Sequence, residues 1–152
     1  MSDSATRSEK QIVIVRTFDA TPEQVWEAWT DPAQVAEWWG PEGFETPPAS
    51  VVIELHVGGR YDLLMVDTRT GGEFPVRQEV LEVSAPHLLV VCHEPMPDHG
   101  MLKEIVTRIE LHAHDGGTRV EVSGGPYPAE MGAFAEQGWG QQLDKMERLL
   151  SA

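Results

Sequence analysis

The chain has 152 residues, 41% hydrophobic and 24% charged, which suits one globular domain able to bury a real core and does not suit a disordered chain. Its net charge of −14, from 25 acidic against 11 basic residues, repels phosphate and anionic surfaces, so neither nucleic acid nor membrane insertion is expected. No apolar run approaches the roughly 18 residues that span a bilayer, MSDSATRSEK lacks the apolar stretch of a secretory signal, and Cys92 stands alone, so a cytoplasmic protein without an intramolecular disulfide is expected.

Residues 1–10 read as a flexible polar tail and 11–152 as one domain. Gln11 to Phe18 is rich in β-branched residues and predicts a strand. Two helix starts follow in the same grammar, a capping residue and then proline: Thr21-Pro22-Glu23-Gln24 and Asp31-Pro32-Ala33-Gln34. The first helix puts Val25, Trp26 and Trp29 on one side, and the second does so with Val35, Trp38 and Trp39 before Gly40-Pro41 ends it. Residues 42–50 are loop. Strands are predicted over Val51–Val57, Arg60–Asp67, Phe74–Ser84, Leu88–Glu94, Leu102–His114 and Thr118–Ser123. Glycine, proline or aspartate turns separate most of them, and Gly124-Gly125-Pro126 is read as the end of the sheet. From Pro128 to Leu150 the apolar residues recur at three- and four-residue steps, which predicts an amphipathic helix about 35 Å long. Gly132, Gly138 and Gly140 lie inside that helix, each costing on the order of 1 kcal/mol relative to alanine, so they must be offset by packing or must leave room for something. The order is β-α-α, a run of strands, then α, with no βαβ alternation; it argues for a mostly antiparallel sheet covered on one face.

The segment RTFDATPEQVWEAWTDPAQVAEWWGPEGFETP resembles the opening of the SRPBCC superfamily, in the branch of homologues of the heat-shock-protein-90 ATPase activator. GGRYDLLM, EVLEVSAPHLLV, GGTRVEV and QGWGQQLDKMERLL follow the same pattern in order, so the resemblance runs from about Ile12 to Leu150. It implies an α+β helix-grip fold similar to START and Bet v 1 domains: a curved antiparallel sheet of six to seven strands around a long C-terminal helix, with two short helices after the first strand. That fold serves carriers, cyclases and co-chaperones alike, so the resemblance leaves the function open.

In a helix grip the free space lies between the concave sheet and the long helix. The residues expected to border it are Trp39, Phe44, Tyr61, Leu63, Met65, His93, Phe134 and Trp139, a set suited to a small apolar or aromatic molecule. Trp26 and Trp29 are expected in the core. Trp38 and Trp39 are adjacent, so only one is expected to point into that core, with Trp39 left at the cavity mouth. Arg77, Glu79 and His93 are the polar strand residues that could act as acid or base if they face inward; alternation gives Arg108 to the solvated face instead. Cys92, His93, Asp98 and His99 cluster in sequence, as do His112 and His114, but neither group has a recognised metal-ligand spacing. No cofactor is expected. Three functions follow in order: binding of an apolar metabolite, then a cyclase- or hydrolase-like enzyme, then a co-chaperone. A chaperone partner ranks last because, in the family resembled, activation leans on a further N-terminal domain. Homodimerisation through an exposed strand or helix fits the pattern, which fixes no interface residue.

Overall fold

A computed structural model describes residues 9–151. Strand β1 (Glu9–Phe18) is followed by helices α1 (Pro22–Thr30) and α2 (Pro32–Trp38). Thr21 caps α1 reciprocally: its hydroxyl accepts from the Gln24 N–H at 3.2 Å, while the Gln24 side chain accepts from the Thr21 N–H at 2.9 Å. Such a cap stabilises a helix by about 1 kcal/mol, which matters for a helix of nine residues. Asp31 caps α2 through one bond only, its carboxylate accepting from the Ala33 N–H at 3.4 Å. The first strand starts two residues before its expected boundary, at Glu9; the rest of the expected tail, residues 1–8, lies outside the described residues.

The strands after the helices are β2 (Phe44–Glu45), β3 (Val52–Ile53), β4 (Tyr61–Asp67), β5 (Glu73–Val76), β6 (Gln78–Ser84), β7 (Leu88–His93), β8 (Ile105–His114) and β9 (Gly117–Pro128). They form an antiparallel five-stranded sheet in the order β1-β9-β8-β7-β6 and a smaller one, β2-β4-β3, with β5 paired to β4. The expected single strand Phe74–Ser84 is therefore two strands. It changes partner at Arg77, where β5 pairs with β4 and β6 pairs with β7, and this corner bends the β surface. Val51–Val57 contributes only Val52 and Ile53 to a strand, the remainder turning back toward Gly59. The hairpin at Asp115-Gly116 has positive φ at both positions, 48° and 81°, as a tight two-residue turn requires. Strand β9 does not stop at Gly124-Gly125-Pro126: it runs on to Pro128 because Gly124 and Gly125 still pair with β8, and Tyr127 pairs back to Lys10 of β1.

Alternation sets the two faces. Ile105, Thr107, Ile109 and Leu111 of β8 and Val120 and Val122 of β9 point inward and are buried. Helix α3 (Ala129–Leu150) lies over that face, with Trp139, Leu143 and Met146 turned into the core. The three helical glycines do different things. A Cβ on Gly132 would collide with the Lys10 stem at 2.4 Å, so that glycine makes room for a side chain from β1. Gly138 and Gly140 have no such neighbour: their Cβ atoms would meet only Pro41 at 3.8 Å and the Arg16 guanidinium at 3.9 Å.

Candidate functional site: an apolar cavity under the C-terminal helix

The short helices bring an aromatic pile to one end of the molecule. Trp29 meets Trp38 edge-on, with ring centroids 4.6 Å apart, and stacks on Trp139 of α3 at 5.8 Å. Trp39 contacts Trp38 at 5.2 Å, Trp139 at 5.4 Å and Tyr61 of β4 at 6.0 Å. Trp38 and Trp39 are both buried, and Trp39 is the one of the two that lines the cavity. The reason is local: α2 ends at Trp38, and Trp39 takes extended backbone (φ −70°, ψ 136°), which swings its ring out of the helical period. Trp38 is anchored by its indole N–H, which donates to the Ala28 carbonyl at 2.7 Å.

Beyond this pile the sheet and α3 border a cavity of about 460 Å³ that opens to solvent. Trp39, Trp139 and Tyr127 form one end; Met65, Phe74, Val76 and Ile105 come from the strands; Met131, Ala135 and Gly138 come from the helix; Met96 and Met101 come from the loop after β7. Of the residues expected at the cavity, Trp39, Phe44, Met65, His93, Phe134 and Trp139 line it. Phe134 does so from the rim, 74% exposed. Tyr61 and Leu63 do not reach it. They are buried one layer below, where the Tyr61 hydroxyl donates to the Trp29 carbonyl and Leu63 is paired opposite Val76. Burial pushes the Tyr61 phenol well above its ordinary range. It raises Tyr127 as well, with the hydrogen bond to Trp139 pulling the other way.

The three acid–base candidates separate. Arg77 and Glu79 are exposed, because at the corner it is Gln78 that turns inward; Arg77 lies 4.0 Å from Glu94 across the surface. His93 is buried at the cavity wall, but both its ring nitrogens are held by backbone. Nε2 accepts from the Arg77 N–H at 3.2 Å, and Nδ1, which must then carry the proton, donates to the Glu94 carbonyl at 2.6 Å. An imidazole committed at both nitrogens has neither free to offer a substrate. Among the described residues, no group of three or more His, Cys, Asp or Glu side chains comes together to hold a metal.

Sequence reasoning missed Gln78, Thr107, Tyr127 and Gln142 as cavity residues, together with the methionines Met96, Met101 and Met131. Alternation along β8 already put Thr107 inward. Gln142 and Met131 lie on helical positions whose neighbours become known only once α3 is placed. Tyr127 follows a Gly-Gly-Pro that reads as a terminator.

The cavity roof is tied down from the helix. Gln142 Oε1 accepts from the Gly40 N–H at 2.9 Å and Gln141 Oε1 from the Glu42 N–H at 3.0 Å; Lys145 Nζ donates to the Pro41 and Phe44 carbonyls at 3.4 and 3.2 Å. Gly40 sits at φ +105°, with its missing Cβ facing Phe44, so the roof can fold back only at a residue without a side chain.

The chain is similar over most of its length to solved bacterial proteins. A protein from Chromobacterium violaceum matches with a TM-score of 0.84 and 24% identity, covering 93% of this chain and 97% of the other. The AHSA1 protein from Silicibacter pomeroyi matches at 0.78 and 23%, covering 93% and 98%. The AHSA1-like protein from Aeromonas hydrophila, solved in solution, matches at 0.76 and 25%, covering 91% and 90%. No curated protein matches the chain significantly. These likenesses carry the helix-grip fold, and the family model described as AHSA1, Activator of Hsp90 ATPase homolog 1-like protein, matches residues 19–151. The chain therefore belongs to the Activator of Hsp90 ATPase homolog 1-like family.

Proposed function

We propose that this protein binds a small hydrophobic or aromatic molecule in the cavity between its sheet and C-terminal helix, as a carrier, a sensor or a sequestering protein. One observation carries the reading: about 460 Å³ of space walled by tryptophan, phenylalanine and methionine, beside a continuous buried core. Its size and mainly apolar walls fall within the range of small-molecule sites. A cytoplasmic setting suits the single free cysteine.

The acid–base alternative loses its main support at His93, whose nitrogens are both engaged by backbone, and at Arg77 and Glu79, which face away. The co-chaperone alternative has the family membership behind it and no particular surface of this chain.

The test is native mass spectrometry of the purified protein, followed by titration with N-phenyl-1-naphthylamine, an uncharged dye that fluoresces in apolar surroundings. Binding should enhance the dye's emission and quench Trp39 and Trp139. No mass adduct and no fluorescence change at micromolar protein and dye would end the proposal.

A further inference from the structure

Besides the Trp39 indole N–H and the Tyr127 hydroxyl, the cavity wall holds side-chain atoms of Gln142, Gln78 and Thr107 that no hydrogen bond of the fold uses. Gln142 lines the cavity and is buried; its Oε1 is occupied by the Gly40 N–H, so its Nε2 is the end left free. Gln78 lines the opposite wall; its Nε2 donates to the Tyr61 carbonyl at 3.3 Å, so its Oε1 is the free end. Thr107 is buried on the inward face of β8, and its hydroxyl has no hydrogen-bond partner among the described residues. None of the three atoms is sealed from solvent-sized space, unlike the Trp29 indole N–H, which is buried and unpaired within the aromatic pile. Polar atoms that open onto one space without a partner in the fold are places where a ligand atom, taking the position of water, finds a hydrogen bond. Among the described residues, no Asp, Glu, Lys or Arg lines the cavity. An ionised ligand would thus enter an apolar space without a counter-charge, inside a protein that already carries −14.

We infer that the cavity selects an uncharged, mainly apolar molecule that presents a hydrogen-bond donor toward Gln78 on the sheet and an acceptor toward Gln142 on the helix and the Thr107 hydroxyl on β8, as a carboxamide or lactam on an aromatic frame does. This rests on the binding function proposed above and adds the ligand's charge and polarity to it. The Gln142 amide that would meet the ligand's acceptor also holds Gly40, so the recognition group and the roof share one side chain.

Three compounds of similar size separate the alternatives: 1-naphthamide, 1-naphthoate and 1-ethylnaphthalene, each measured by displacement of N-phenyl-1-naphthylamine. The amide is expected to bind at least about tenfold tighter than the carboxylate, a difference of one hydrogen-bonded or charged group. The ratio of amide to hydrocarbon affinity, which cancels any general change in the cavity, is then compared in Thr107→Val and Gln142→Met. Thr107→Val breaks no hydrogen bond of the fold and keeps the volume, so it should melt no lower than the parent. A fall of fivefold or more in that ratio in either variant supports the inference. An unchanged ratio in both, or a carboxylate that binds as well as the amide, overturns it while leaving apolar binding intact. Failure of the dye and all three compounds to bind would remove the binding function itself.

Discussion

The ammonium of Lys145, on the last turns of the C-terminal helix, donates to the Phe44 carbonyl at 3.2 Å and to that of Pro41 at 3.4 Å, so the loop that roofs the cavity is fastened to the helix that forms its side. Burial pulls the Lys145 pKa down, with Glu42 opposing that pull. Lys145→Met keeps the aliphatic stem and removes both bonds. Amide hydrogen exchange across residues 40–46 should speed up, and the melting temperature should fall by about 2–4 °C for the roughly 1 kcal/mol such bonds contribute. Unchanged exchange in that segment would mean that the loop is held by its aromatic contacts alone.

Gly138 lines the cavity, and a Cβ there would meet only Pro41, at an ordinary contact distance of 3.8 Å. Gly138→Ala should therefore stabilise the protein by about 0.5–1 kcal/mol, the helix-propensity difference with no steric debit. Gly138→Leu should project into the cavity and weaken N-phenyl-1-naphthylamine binding by an order of magnitude or more, without unfolding the chain. Circular dichroism melts alongside dye titrations decide both. A leucine variant that binds dye as the parent does would place the bound dye elsewhere.

His93, the last residue of β7, uses both ring nitrogens to hold the Arg77 corner between β5 and β6 and the backbone of Glu94 just past its own strand. Replacement by leucine leaves the Arg77 N–H and the Glu94 carbonyl without this partner, a loss of about 1–3 kcal/mol. Urea denaturation should show a lower midpoint with an unchanged slope. A stability equal to the parent's would reopen the question of what the imidazole is for.

Tyr61 and Tyr127 are both raised above the ordinary phenol value of 10.0 by burial. Between that value and the folded-state value the native chain keeps protons that the unfolded chain loses. Their contribution to stability is therefore fully present below about pH 10 and lost as pH rises beyond it. Tyrosinate absorbance near 295 nm should appear together with unfolding in an alkaline titration, and Tyr61→Phe should flatten the pH dependence while leaving Tyr127's share. Smooth ionisation of both phenols in a folded protein would contradict their burial.

Much of this molecule is legible along the chain because the signals are local. The capping box at Thr21, the proline after Asp31, the alternation of Ile105, Thr107, Ile109 and Leu111, and the Asp-Gly turn each act within a few residues, and backbone sterics and hydrogen bonding act there too. Other features depend on where an element's neighbours arrive. That Gln78 rather than Arg77 or Glu79 faces inward follows from the partner exchange at the corner between β5 and β6. That β9 continues past Gly125 follows from strands on both sides still offering it hydrogen bonds. That Trp38 and Trp39 are both buried follows from the helix ending between them. Sequence by itself determined the helices, the order of the main strands and most of the faces they hide, since those rest on short-range periodicity. Only the tertiary structure decided which of the hidden residues pack against one another and which stand apart around an empty space, because a cavity is set by the separation of surfaces that lie far apart in the chain.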